Sequence, residues 1–136
     1  MATKIFVNLP VQDLNKSMDF FKQLGYSFNP QFSDETAACM VISEDIYAML
    51  LTHPKFKLFT KKEISDATKT TEVLVALSFE SKVAVDEIME KALRAGGKEA
   101  RETEDLGFMY GRAFDDLDGH TWEVFWMNPD AVQPQE

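Results

Sequence analysis

Cysteine is almost absent from this chain, and the single residue, Cys39, cannot form a disulfide within it. No uninterrupted apolar run approaches the roughly 20 residues that a membrane helix needs, so we expect no membrane partner. The N-terminal residues lack the charged-then-apolar order of a secretory signal. Together with the cysteine count, this favours the cytoplasm.

Positive charge is also scarce, with 14 Lys and Arg against 23 Asp and Glu and a net charge of −9. Such a field repels phosphate backbones, so we expect no nucleic acid partner. One basic cluster interrupts this pattern, and it is either an anion site or a solvated face. Its members are Lys55, Lys57, Lys61 and Lys62.

The chain nevertheless has the 136 residues and 45% hydrophobic content of a single globular domain, 1–136. Two of its segments are alike and lie half a chain apart. Residues 5–11 and 73–79 are apolar strand patterns, and each is followed by an amphipathic helix that ends at glycine. A repeat of this kind indicates two copies of one module.

The pattern predicts two βαβββ modules, with Asp13 and Ser81 as the N-caps of their helices. Module one covers about 1–53 and module two about 72–128, followed by a tail at 129–136 that should fray. The connection, about 54–71, includes a predicted helical turn around 61–67. It is either a functional lid or a linker.

The last predicted strand contains the residue that most needs an explanation. Trp122, Val124 and Trp126 alternate with Thr121, Glu123 and Phe125, so the tryptophans face a helix and Glu123 faces the opposite side. A carboxylate there is costly unless it is paired or solvated by a cleft. We expect Arg112 and Tyr110, on the adjacent strand, to share its face. Glu123 is then either the ion-pair partner of Arg112 or a reactive group.

Both ends of the pattern resemble the vicinal oxygen chelate superfamily. Its opening signature is similar to residues 6–14 followed by Ser17, Phe20 and Phe21, and its closing signature to residues 115–124. Within the superfamily, the chain is most similar to bacterial proteins named predicted lactoylglutathione lyases. The resemblance implies an α+β fold in which two βαβββ modules form an eight-stranded, cup-shaped mixed sheet. It also implies a homodimer.

Superfamily enzymes such as glyoxalase I hold a divalent metal with two ligands from each module. Carried over by position, these ligands fall on Phe6, Leu50, Leu74 and Glu123. Only Glu123 can bind a metal, and one carboxylate does not hold such an ion tightly. We therefore expect no metal and no cofactor. A divalent metal at Glu123, in a displaced site with His53 and His120, is the alternative.

The resemblance and the side-chain pattern together predict a small-molecule site. Glu123 would be the catalytic base of metal-free proton transfer, with Arg112 or Tyr110 holding an enolate oxygen. The alternative is a non-catalytic protein of the bleomycin-resistance type that sequesters its ligand, and a structural dimer is the third possibility. Involvement of glutathione has little support. The expected ligand-binding residues are Phe6, Asn8, Leu50, Leu74, Ser78, Thr121 and Phe125.

Overall fold

The structure is a computed structural model that describes residues 3–131. The chain divides into two compact units, with the boundary between Asp66 and Ala67. This boundary falls inside the predicted connection. Most of the predicted tail, 132–136, lies outside the described residues, whereas Pro129–Ala131 form a short 3-10 helix.

The first unit contains a four-stranded mixed sheet in the order β1-β4-β3-β2. Strands β1 and β4 are parallel, and the other two pairs are antiparallel. A short 3-10 helix, Pro30–Phe32, follows β2. The elements are β1 (Ile5–Val11), α1 (Leu14–Gln23), β2 (Ser27–Asn29), β3 (Ala37–Val41), β4 (Ile46–Thr52) and α2 (His53–Lys57).

Helix α1 forms where the sequence predicts it. The Asp13 carboxylate accepts a hydrogen bond from the Lys16 amide at 3.0 Å, which satisfies one free donor of the first turn. Gly25 follows the helix with φ of 104°, a conformation that glycine adopts without strain. The helix buries Leu14, Phe20 and Phe21 as it packs on β3 and β4.

Helix α2 corrects the prediction for the connection. The helical turn expected around 61–67 is wrong, because the helix covers His53–Lys57 instead. Thr52 caps it by accepting a hydrogen bond from the Lys55 amide, and Pro54 occupies the first turn, where no amide donor is needed. Pro54 is therefore a helix-start signal, although it lies at the beginning of the predicted connection.

The second unit contains a five-stranded mixed sheet in the order β5-β9-β8-β6, with β7 also paired to β8. Strands β5 and β9 are parallel, and the pairs made by β8 are antiparallel. The elements are β5 (Leu74–Ser78), α3 (Lys82–Arg94), β6 (Lys98–Glu99), β7 (Glu104–Asp105), β8 (Met109–Asp115) and β9 (Thr121–Met127).

Helix α3 begins as predicted, because the Ser81 hydroxyl accepts a hydrogen bond from the Ala84 amide at 3.0 Å. Its apolar stripe is buried against β8 and β9, as the spacing predicts. The buried members are Val85, Ile88, Met89 and Ala92. On the sheet, Trp122 and Val124 of β9 are both buried, which completes this core.

The α+β class and the two βαβββ modules are thus confirmed. Two details differ from the prediction. The strands form two separate hydrogen-bonded sheets. The described residues contain nine strands instead of eight, because two short strands, β6 and β7, lie between α3 and β8. None of the helices within residues 3–131 has the length and apolar character needed to cross a membrane.

Candidate functional site

Glu123 lies on the face of the second sheet that α3 does not cover. Its register partners are Ala76 on β5 and Ala113 on β8, whereas Trp122 and Val124, its neighbours in β9, are buried. Strand alternation therefore places Glu123 as predicted. Its side chain is 23% exposed, so the carboxylate is accessible from one side of the sheet.

The ion-pair partner of Glu123 is Arg101, a residue that the sequence analysis did not select. Arg101 Nη1 donates a hydrogen bond to Glu123 Oε2. The Arg101 side chain is 45% exposed, so solvent screens the pair and its contribution to stability is small. Arg101 comes two residues after the end of the short strand β6. Because it lies outside a strand, the alternation of side chains in the sequence does not predict which face of the sheet it occupies.

Arg112 and Tyr110 lie on the opposite face from Glu123, so the prediction that they share its face is wrong. In the pairing of β8 with β9, Arg112 lies opposite Val124 and Tyr110 lies opposite Trp126. Both partners are an odd number of residues from Glu123 in β9, so their side chains point to the other face of the sheet. Both bind Asp86 Oδ1 of α3: Arg112 Nη1 donates at 2.9 Å and the Tyr110 hydroxyl at 2.7 Å. The hydrogen bond to Asp86 raises the pKa of Tyr110. The alternative expectation of a Glu123–Arg112 ion pair is also wrong.

Leu50 must also be reassigned. It pairs with Leu9 in register and is 0% exposed, so it belongs to the buried face of the first sheet. Met49, which pairs with Asn8, takes the position that we gave to Leu50. The predicted position is wrong by one residue, because the closing pairs Val41–Tyr47 and Asp115–Thr121 make Met49, and not Leu50, equivalent to Glu123.

The other predicted ligand-binding residues lie on the expected faces. In the first sheet, Asn8 is exposed and Phe6, 49% exposed, stacks on Tyr47 with ring centroids 4.7 Å apart. In the second sheet, Leu74, Ser78, Thr121 and Phe125 share the face of Glu123, because Leu74 pairs with Thr121 and Ser78 with Phe125. Their binding of a ligand stays a prediction.

A cavity of about 340 Å³ opens on this face of the second sheet. Arg101 and Lys69 supply two cations to its wall, and the Thr121 hydroxyl, which donates to Asp115 Oδ1 at 2.6 Å, supplies part of its polar surface. The end of the connection is a wall of the cavity. The lining residues are Ala67, Thr68, Lys69, Thr71, Leu74, Ala100, Arg101, Ala113, Asp115, Gly119 and Thr121.

The turn between β8 and β9 holds this wall in place. The buried Asp116 carboxylate accepts the backbone amides of Asp118 and His120 through Oδ1 and the Trp122 indole through Oδ2. Burial raises the pKa of Asp116, and the neighbouring His120 and these donors act in the opposite direction. Gly119, at φ of 89°, lies against the backbone of Ala67, where no side chain fits.

The donors at the metal-ligand positions do not fit the metal that the resemblance implies. The first sheet offers Phe6 and Met49 there, and the second offers Leu74 and Glu123. A thioether suits soft ions such as Cu(I), and one carboxylate alone binds a divalent ion weakly. Residues 3–131 contain no group of three or more His, Cys, Asp or Glu side chains placed to hold a metal ion.

Known proteins share this fold and part of this sequence. The solved structure of hypothetical protein SA1046 from S. aureus is 30% identical, with a TM-score of 0.77, and the match covers 93% of this chain and 95% of that one. The family model described as bleomycin resistance protein-like N-terminal matches residues 3–43. This chain belongs to the vicinal oxygen chelate superfamily. No curated protein sequence matches it significantly.

Two further superfamily structures show the same fold at lower identity. A glyoxalase/bleomycin resistance protein/dioxygenase family enzyme from Burkholderia phytofirmans PsJN is 15% identical, with a TM-score of 0.76, covering 93% of this chain and 99% of that one. The fosfomycin resistance protein FosX from Listeria monocytogenes is 17% identical, with a TM-score of 0.67, covering 96% and 97%.

Proposed function

We propose that this superfamily member binds a small organic anion in the 340 Å³ cavity and moves a proton next to its carbonyl group, with Glu123 as the base. Glu123 is not one of the lining residues, so the carbonyl end of the ligand would extend from the cavity toward it, past Arg101. The single observation that carries the proposal is the Arg101–Glu123 pair, in which Arg101 also lines the cavity. Arg101 and Lys69 place two cations on a cavity wall that carries one carboxylate, Asp115, in a protein of net charge −9. An anionic group gains most from that placement.

The geometry reassigns the predicted roles to new residues. Glu123 keeps the role of the base, and Arg101 takes the role given to Arg112 and Tyr110. In the step, the C–H bond beside the carbonyl breaks, its proton goes to the Glu123 carboxylate, and its electron pair forms an enolate. The enolate oxygen accepts hydrogen bonds from the Arg101 guanidinium. Where the carbon that lost the proton carries a hydroxyl, the proton returns to the former carbonyl carbon. The hydroxyl proton then moves to the enolate oxygen, which completes an isomerisation and restores Glu123.

This reaction is a metal-free counterpart of glyoxalase chemistry, and a lactoylglutathione lyase-like activity is its most specific form. The support is the superfamily membership together with a retained carboxylate at the last ligand position. The homodimer and the cytoplasmic location are further proposals. The apolar side chains of Phe6 and Leu74, 49% and 50% exposed, are the kind of surface that a ligand or a partner would cover.

One observation favours the alternative, a protein that sequesters its ligand without chemistry. Phe6, Met49 and Leu74 place hydrocarbon and a thioether at three of the four ligand positions. Apolar side chains of this kind, taken for each sheet by itself, are typical of binding surfaces with few polar groups. The two functions differ in whether a bound molecule exchanges a carbon-bound proton.

The Glu123→Gln variant tests the catalytic proposal. Protein in D₂O is mixed with pyruvate, dihydroxyacetone phosphate or the hemithioacetal of methylglyoxal and glutathione, and loss of the C–H signal is followed by NMR. We expect the protein to accelerate exchange of at least one of them. Glu123→Gln should slow that exchange by about 10²- to 10⁴-fold, because a positioned base contributes this much.

Glu99→Gln is the matched control, because Glu99 pairs with Phe114 on the opposite face of the same sheet. It should exchange protons at the unaltered rate. If the unaltered protein accelerates none of the three, or if Glu123→Gln exchanges equally fast, Glu123 is not a base for this chemistry. A rise in thermal stability with the same compounds would then identify the sequestering function.

A further inference from the structure

A second cavity, of about 540 Å³, lies in the first unit and is larger than the one near Glu123. Met18 and Lys22 of α1 form one wall, and the chain around β2 forms the other. Phe28 of β2 pairs in register with the buried Met40, so the cavity lies on the helix-covered side of the first sheet. Phe6 and Asn8 face the other side of that sheet, so this cavity is not the predicted ligand site.

The walls of this cavity combine apolar surface with a few polar groups. Met18, Phe28 and Pro30 supply the apolar surface. A volume of 540 Å³ is within the range of small-molecule pockets, and this composition is typical of them. A ligand with an apolar body of about one aromatic ring fits such a wall.

Lys22 and Tyr26 place hydrogen-bond donors at the cavity, beside the hydroxyls of Ser27 and Ser33. Lys22 lies in the last turn of α1 and Tyr26 follows it closely. Burial raises the pKa of Tyr26 to about 12, so its hydroxyl keeps its proton and can donate at neutral pH. Within residues 3–131, Tyr26 contacts Phe21 in two ways. Its backbone amide donates a hydrogen bond to the Phe21 carbonyl, and the two rings meet edge to face, so neither contact uses the Tyr26 hydroxyl.

Asp34 places an anionic acceptor at the cavity. Asp34 Oδ1 accepts three hydrogen bonds, from the amide and the hydroxyl of Thr36 at 2.7 and 2.8 Å and from the amide of Ala37 at 3.0 Å. The bonds from Thr36 lower the pKa of Asp34, so the carboxylate is ionised at neutral pH. Because all three bonds are to Oδ1, Oδ2 is left to accept from a ligand.

We propose that this cavity binds a zwitterion with an apolar side chain, of the class of the aromatic amino acids. The ligand carboxylate lies against the Lys22 ammonium group and the Tyr26 hydroxyl. Its ammonium group donates to Asp34 Oδ2, and its ring packs on Met18, Phe28 and Pro30. One cation, one anion and an apolar wall in the same cavity match that ligand in charge and in polarity.

Three probes that differ in one charged group each test the match. They are L-phenylalanine, hydrocinnamate, which lacks the ammonium group, and phenethylamine, which lacks the carboxylate. Binding is measured from NMR shifts of the protein amides at millimolar ligand. We expect L-phenylalanine to bind about two- to fivefold more tightly than either analogue, because Lys22 and Asp34 are both exposed and solvent screens each charged pair. The shifted amides should lie between residues 18 and 34.

Three conservative variants identify the groups. Lys22→Met should weaken hydrocinnamate and not phenethylamine, and Asp34→Asn should do the reverse. Asn keeps an oxygen at the Oδ1 position for the Thr36 and Ala37 donors, so this loop is preserved. Tyr26→Phe removes only the hydroxyl and should weaken hydrocinnamate. Unchanged thermal unfolding of each variant shows that it is folded.

Three outcomes would overturn the proposal. They are no saturable shift with L-phenylalanine, equal binding of the three probes, and shifts confined to the second unit. Glu123→Gln should bind L-phenylalanine as the unaltered protein does. The result is therefore independent of the function proposed for the second sheet.

Discussion

Asp116→Ala, in the turn between β8 and β9, should lower the free energy of unfolding by about 3 kcal/mol. The substitution leaves three donors without their acceptor: the buried Trp122 indole and the part-buried amides of Asp118 and His120. Each unsatisfied buried donor costs about 1–3 kcal/mol, and relief of the desolvated carboxylate returns part of that cost.

Urea unfolding followed by tryptophan fluorescence measures the effect, because both tryptophans of the chain, Trp122 and Trp126, are in β9. Asp116→Asn is the graded control. Its amide oxygen can still accept the two backbone donors, and its amino group cannot accept from the indole. We expect a loss of about 1.5 kcal/mol. If Ala and Asn cost the same, or if neither changes the unfolding midpoint, the network does not stabilise the turn.

The strands and helices could be predicted from the sequence because each of them depends on local signals. Asp13 and Ser81 cap their helices through contacts to residues three positions away. Glu123 was placed on the correct face because alternation within β9 needs no partner strand. These features are fixed by neighbouring residues, so a single sequence contains enough information to predict them.

The relation between neighbouring strands was harder to predict, and the site depends on it. A shift of one residue in register moves every side chain to the other face. This is why Leu50 was exchanged with Met49, and why Arg112 and Tyr110 were placed beside Glu123. Hydrogen bonds in the turn set the register of β8 and β9, among them those that Asp116 accepts, and these bonds join side chains to backbone amides in ways that periodicity does not show.

The residues that sequence reasoning missed lie outside regular strands. Lys69 is in the connection and Arg101 is in the irregular segment between β6 and β7. Neither residue lies in a helix or strand, so no repeating pattern in the sequence predicts where its side chain points. The connection itself was interpreted as either a lid or a linker. Its end, at Ala67, Thr68, Lys69 and Thr71, is instead a wall of the cavity beside the second sheet.

Gly119→Ala tests how that wall is held. A Cβ at Gly119 would lie 2.9 Å from the backbone carbonyl of Ala67 and the amide nitrogen of Thr68, closer than real Cβ atoms approach backbone. The φ of 89° adds strain for any residue with a side chain, about 1–2 kcal/mol. We expect a total loss of about 3 kcal/mol in the free energy of unfolding and a weaker binding of any ligand of the cavity.

Gly107→Ala separates the backbone strain from the steric clash with the connection. Gly107 has a similar φ of 83°, but a Cβ there would meet nothing within 4 Å. It should cost only the strain of the backbone, about 1–2 kcal/mol, and leave the ligand affinity unchanged. Equal losses in the two variants would mean that the connection moves away from Gly119 at no cost. A larger loss for Gly119→Ala means that a side chain there displaces the wall that Ala67 and Thr68 form, so the closing turn and the connection act as one support for the cavity.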